Sequence, residues 1–321
     1  MSWVIGRRLL QAIPVLIGAS IIAFGLLNVL PGSTAIAILG ADATPQSIAT
    51  VNQQLGLDKP LVIRYLEWLG SALHGDLGSS FITKESVLST VAARVPVSLE
   101  LVIGALLVAL VTAIPAALIS VRWRHKVVDK AFALLSVLGL SVPNFIVALV
   151  LVLILAVKSP VFPSTGFVPL SQSVSGNLQT MILPVLSLSF IFFGTYTRLL
   201  RADMLQQLER EDYVLFGRAK GVGETRILLR HVLKNSSFNL IMVVGTNFGT
   251  LVGTTVIIEE IFGLPGVGQL MITSIFNRDA PVVQGVVLLL AVVVVLANLA
   301  SDLLHEWLDP RTRYVSAVAA G

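Results

Sequence analysis

The sequence predicts an all-α membrane protein with six transmembrane helices, and three observations carry that prediction. Of its 321 residues, 55% are hydrophobic and only 12% charged, at a mean hydropathy of +0.89, whereas soluble domains carry about a quarter charged residues. Six apolar stretches are each long enough to cross a hydrocarbon core about 30 Å thick, which takes about 20 helical residues. Period-2 alternation is absent, which argues against a barrel and for helices, the structures that satisfy their backbone groups in lipid from within.

The first span is expected over residues 9–30. Its start, "MSWVIGRRLLQAIPVLIGAS", has the basic beginning of a secretory signal. The apolar run is too long for a signal core and no small-residue cleavage site follows, so it reads as a retained span. A long segment over 31–97 comes next, with helix signals of its own. Thr44 and Pro45 form an N-cap and first-turn pair and Gly56 closes that segment. In "KPLVIRYLEWLGSALHG", Leu61, Tyr65, Trp68, Leu69 and Leu73 recur at helical spacing and predict an amphipathic helix in an external cap. The remaining spans are expected over 97–121, 131–157, 181–200, 238–258 and 282–304. Pro14, Pro115, Pro143 and Pro184 lie inside or near the ends of spans, where proline kinks or breaks helices.

Sixteen of the twenty-two Lys and Arg residues fall in the N-terminus, 121–130, 198–237 and the C-terminus, and six in the alternate segments. The positive-inside rule makes the first set cytoplasmic, with both termini inside. The net charge of +4 then reflects topology, and nucleic-acid binding is not needed to explain it.

One cytoplasmic stretch, "DYVLFGRAKGVGETRILLRHVLKNS" from Asp212 to Ser236, is polar, basic and punctuated by glycine between apolar neighbours. Asp212 is read as an N-cap and Tyr213 to Lys220 as a two-turn helix ended by Gly221. So short a helix is marginal unless something holds it. Beyond it Arg226, Arg230 and Lys234 make a basic stripe with Leu228, Leu229, Val232 and Leu233 opposite. Anionic lipid headgroups explain such a stripe as readily as a partner does.

Within the fifth span Gly245, Gly249 and Gly253 line one face, with Thr246, Thr250 and Thr254 alongside and Asn247 nearby. A small-residue ridge serves packing within the chain, a face for a partner subunit, or a pathway lining. The chain has no cysteine, and His74, His125, His231 and His305 are not at metal-ligand spacing, so no metal site is expected. "GLPGVGQL" has Gln269 and Leu270 where a phosphate loop requires Lys and Ser or Thr. No catalytic residues are expected, and a membrane enzyme is the weaker alternative. An ion-coupled secondary transporter would call for acids within the spans and inverted repeats, and neither is evident.

Five segments in order then carry a family resemblance: "RRLLQAIPVLIG", "LGLDKPLVIRYLEWLGSALHGDLGSSF", the Asp212–Ser236 stretch, "EEIFGLPGVGQL" and "LDPRTRY". Over nearly its whole length the chain resembles the OppB/DppB-type permease subunits of bacterial ABC importers for dipeptides, oligopeptides and nickel. The resemblance implies a type I ABC importer permease fold in the inner membrane, with an external helical insertion between the first two spans. Residues 1–96 would hold the first span and cap, 97–305 the five-helix core, and 306–321 a cytoplasmic tail. It implies half of a heterodimeric pore working by alternating access. The partners would be a homologous second permease, two ATP-binding subunits carrying ATP and Mg, and an external substrate-binding protein. This chain would need no cofactor of its own.

The Asp212–Ser236 stretch then resembles the coupling segment known as the EAA loop, over residues 212–226. Leu215, Phe216 and Gly217 occupy the Glu-Ala-Ala positions, and Gly221 matches the family glycine. His231, Leu233 and Lys234 stand where Ile, Leu and Pro would be, while "RAKG" agrees with the peptide-permease version. Asp212, Tyr213, Phe216, Gly217, Arg218, Ala219, Lys220 and Gly221 are the residues expected to face the ATPase. Gly245, Thr246, Asn247, Gly249, Thr250 and Gly253 are those expected at a helix-packing or pathway face.

Overall fold

A computed structural model describes residues 2–29, 34–39 and 43–308, so most of the expected tail and of "LDPRTRY" lies outside the described residues. The helices are α1 (Ser2–Val29), α2 (Thr34–Leu39), α3 (Pro45–Gln54), α4 (Leu61–Leu73), α5 (Val87–Arg122), α6 (Val127–Ser141) and α7 (Asn144–Leu151). They continue with α8 (Val174–Arg210), α9 (Asp212–Ala219), α10 (Glu224–Ile227), α11 (Leu233–Phe262), α12 (Val267–Phe276) and α13 (Ala280–Leu308). Wide π turns extend α7 over Val152–Lys158 and join α10 to α11 over Leu228–Val232. Among the described residues the only extended pairing is an isolated bridge between Ser79 and Ser86.

Four helices are long and apolar enough to cross a membrane: α5, α8, the run Glu224–Phe262, and α13. The bent pair α6 and α7 makes a fifth if its two arms count as one span. The span expected over 131–157, with Pro143 among the prolines expected to kink or break helices, is broken between α6 and α7, whose axes differ by 107°. Its cause is local. Pro143 supplies no N–H and holds Val142 in an extended conformation (φ −93°, ψ 121°), so the helix stops at Ser141 and restarts at Asn144. Pro14, Pro115 and Pro184 lie inside continuous helices. The second span is also longer than expected: α5 begins at Val87, inside the segment read as external loop. In α1 the apolar part is Leu10–Gly25.

The chain forms two compact units, each drawn from two stretches. In the first, residues 1–99 and 264–296, α3 starts on the expected Thr44 cap, a capping box with Ser47, and Gly56 follows its end at φ +63°. α4 packs on α1. Phe24 meets Tyr65 edge-on at 5.5 Å and Trp68 at 6.1 Å, the Arg64 guanidinium lies 5.7 Å from the Phe24 ring centre, and Ser20 shares a hydrogen bond with Tyr65. The expected stripe is thus only partly buried, for Leu61 and Leu73 remain exposed. A valine core joins Val87 and Val91 of α5 to Val267 of α12 and Val282 and Val286 of α13. Beside it the buried Asp279 carboxylate accepts from the Ser80 hydroxyl and the Phe81 N–H, tying the loop before α5 to the start of α13.

In the second unit, residues 100–263 and 297–321, α8 is the central helix, packed by α6, α7 and α11. Gly139 of α6 and Gly194 of α8 meet backbone to backbone: a Cβ on Gly139 would lie 2.7 Å from the Phe190 carbonyl, and one on Gly194 2.6 Å from that of Ser136. At the end of these helices Arg201 donates through Nε and Nη2 to both oxygens of buried Asp129, at 2.8 and 2.9 Å. Ser120 of α5 and the backbone N–H of His125 donate to the same carboxylate. This cluster fastens α5 and α6 to α8.

Candidate coupling surface

α8 runs to Arg210, and the chain then turns through Glu211 into α9. The helix covers Asp212–Ala219, so the expected boundaries shift by one residue. Glu211 is the N-cap, without a side-chain cap bond, and Asp212 sits in the first turn where its charge suits the helix dipole. Gly221, at φ +73°, ends the element as expected. Its N–H bonds to the Arg218 carbonyl at 2.9 Å and that of Val222 to the Gly217 carbonyl at 3.0 Å. These two bonds make a Schellman cap, which needs a left-handed residue at its corner.

Only Val214 is buried; Tyr213 and Gly217 are half-buried, and Asp212, Leu215, Phe216, Arg218, Ala219, Lys220 and Gly221 are exposed. The helix is held at both ends. Tyr213 donates to the Gln207 side chain of α8 at 2.6 Å, and Arg218 pairs bidentately with Glu224 of α10 at 2.6 and 3.1 Å. The Glu224 carboxylate raises the Arg218 pKa further, so the pair stays charged on the guanidinium side. Gly217 lies against Ile227, which is buried. These contacts answer how a two-turn helix persists: its neighbours hold it, and they leave Leu215 and Phe216 out in the open.

The return turn does what sequence reading missed. It folds α9 back beside the π turn, so that Tyr213, Phe216 and Lys220 share one open cup of about 760 Å³ with Arg230, His231 and Lys234. The Tyr213 and His231 rings are 6.4 Å apart. Arg226, expected in one stripe with Arg230 and Lys234, lies outside that lining. The stripe's apolar side is also uneven: Leu228 and Val232 are buried, Leu229 is half exposed. The signal that could have found the cup was Gly221 itself, since a left-handed corner reverses the chain and lays two basic segments side by side.

On α11 the expected ridge divides. Gly245 packs against Ser301 of α13, Gly249 is buried, and Gly253 is exposed with open space above it. Thr246 and Thr250 are exposed, while Asn247 reaches the Tyr196 hydroxyl of α8 at 3.5 Å. Packing within the chain therefore explains Gly245. Among the described glycines it is Gly139 and Gly194 that meet another helix backbone to backbone, and the spacing argument did not single them out.

The chain is similar to known proteins along nearly its whole length. Residues 105–314 match the family described as binding-protein-dependent transport system inner membrane component, and residues 1–102 match its N-terminal counterpart. A Brucella abortus protein named as a peptide transport system permease is 37% identical over 314 residues, covering 98% of this chain and all of that protein. The oligopeptide transport system permease protein AppB of Bacillus subtilis is 32% identical over 317 residues, 98% of this chain and all of the relative. The glutathione transport system permease protein GsiC of Escherichia coli is 34% identical over 308 residues, 96% of this chain and 98% of the relative. With its apolar helices and these two matches spanning nearly its length, the chain belongs to the inner-membrane permease family of binding-protein-dependent transport systems.

Proposed function

We propose that this permease is one half of the membrane pathway of an ATP-driven importer of dipeptides and oligopeptides, worked by alternating access. A homologous permease forms the other half, two ATP-binding subunits supply ATP and Mg at the cytoplasmic face, and an external binding protein delivers substrate. The chain crosses the inner membrane six times, α1 first, with both termini inside and the residues around α2 to α4 as an external cap. Peptides are the substrate class that the names of the Brucella and Bacillus relatives support. A small non-peptide solute such as nickel is the alternative.

The observation that carries the coupling role is α9: a capped helix, clamped at both ends, that presents Leu215 and Phe216 outward. A chain without an ATP site must receive its work through a surface, and residues 212–226 offer one. Gly221 sets its shape, because a side chain at φ +73° is strained whatever the space around it. In a reconstituted importer Gly221→Val should assemble with its ATP-binding subunits and yet lose most of its uptake for each ATP hydrolysed. Uptake per ATP equal to the unsubstituted importer's would refute the role of this segment.

A further inference from the structure

We propose that the cup beside α9 is a socket for an acidic segment of the ATP-binding subunit. The idea rests on the reading of α9 as the ATPase-facing element and adds to it the chemistry of the partner. Three other cations of the second unit are matched within the chain: Arg124 by Glu209, Arg201 by Asp129, Arg218 by Glu224. Among the described residues, Lys220, Arg230 and Lys234 have no ion-pair partner. They converge on one cup whose described lining includes no carboxylate, with His231 between them.

Converging cations repel one another, and an arrangement of this kind gains stability when an anion enters it. The shape selects among anions. The cup is concave and walled by two helices, so it admits a projecting carboxylate-bearing element. Glu211 and Asp212 are exposed at the start of α9, and their negative charge disfavours an extended anionic bilayer lying along that helix. Leu215 and Phe216, exposed on α9, provide apolar area next to the charged socket, the pairing of anchor and steering charge common at protein interfaces.

The test measures binding of the purified ATP-binding subunits to the permease pair in neutral detergent, at low and high salt. The unsubstituted pair should bind more weakly as salt rises. Arg230→Gln with Lys234→Gln should weaken binding at low salt by about tenfold and flatten its salt dependence, and the two Glu replacements should weaken it more. Lys220→Gln, on the opposite wall and exposed, should act in the same direction, which guards against a folding defect in the double variant. Unchanged affinity and salt slope in all of these would overturn the inference. So would wild-type affinity in detergent combined with loss of the activity difference between anionic and neutral vesicles, the signature of a lipid headgroup in the cup. If Gly221→Val keeps the uptake per ATP of the unsubstituted importer, the reading of α9 fails and the socket with it. Failure of the charge variants alone removes only the socket.

Discussion

At Gly139 and Gly194 it is the missing side chains that let α6 and α8 touch. Gly194→Ala would set a methyl 2.6 Å from the Ser136 carbonyl, a backbone atom with no freedom to move aside. Overpacking of this sort costs about 1–3 kcal/mol, so the variant should unfold at a lower temperature in detergent; an unchanged midpoint would count against the crossing. Gly217→Ala has the opposite sign. Its methyl would rest 3.4 Å from Ile227 Cδ1, an ordinary contact, and alanine improves helix propensity by about 1 kcal/mol. That variant should be slightly more heat-stable with the length of α9 unchanged. Gly221 was legible in the sequence because a cap is a local event, decided by a handful of neighbouring residues. Gly139 and Gly194 were not, because they lie on different spans and become partners only when α6 packs on α8.

At the scale of elements, helices were legible and their ends less so. The apolar runs gave the positions of α5, α8, α11 and α13, but every one of these helices extends beyond its apolar stretch, since polar turns continue a helix wherever caps and neighbours satisfy them. Pro143 was recognisable as a possible breaker, yet so were Pro14, Pro115 and Pro184. What separates them is the extended backbone that Val142 adopts before Pro143. The buried ion pair was invisible for the same reason as the glycine crossing: Asp129 and Arg201 come from different helices. Asp129→Ala would leave Arg201 without its counter-ion and release the Ser120 and His125 donors. With Arg201 still partly in contact with solvent, the loss belongs at the low end of the range for buried pairs, about 3 kcal/mol. Limited proteolysis should then cut more readily in the turn Trp123–Lys126, and equal resistance in the variant and the parent would argue against the fastening role.

For the molecule as a whole, the inside-positive charge count predicts sidedness, and the absence of cysteine makes it straightforward to test. Single cysteines placed at Ala219 and at Ser164 should react with a membrane-impermeant thiol reagent from opposite sides, Ala219→Cys from the cytoplasm and Ser164→Cys from outside. Labelling of both from one side would overturn the proposed orientation. The family was legible because its five segments are spread along the whole chain; the socket chemistry was not, because it depends on a fold-back that no single segment encodes. The wide turn over Leu228–Val232 has a mechanical consequence of its own. It stores one residue more than a regular turn, and each residue of an α-helix advances its azimuth by about 100° while lengthening it by about 1.5 Å. Should that residue be taken up or let out during the transport cycle, the end of the long helix next to α10 would rotate far more than it slides, delivering torque where a straight rod would deliver thrust.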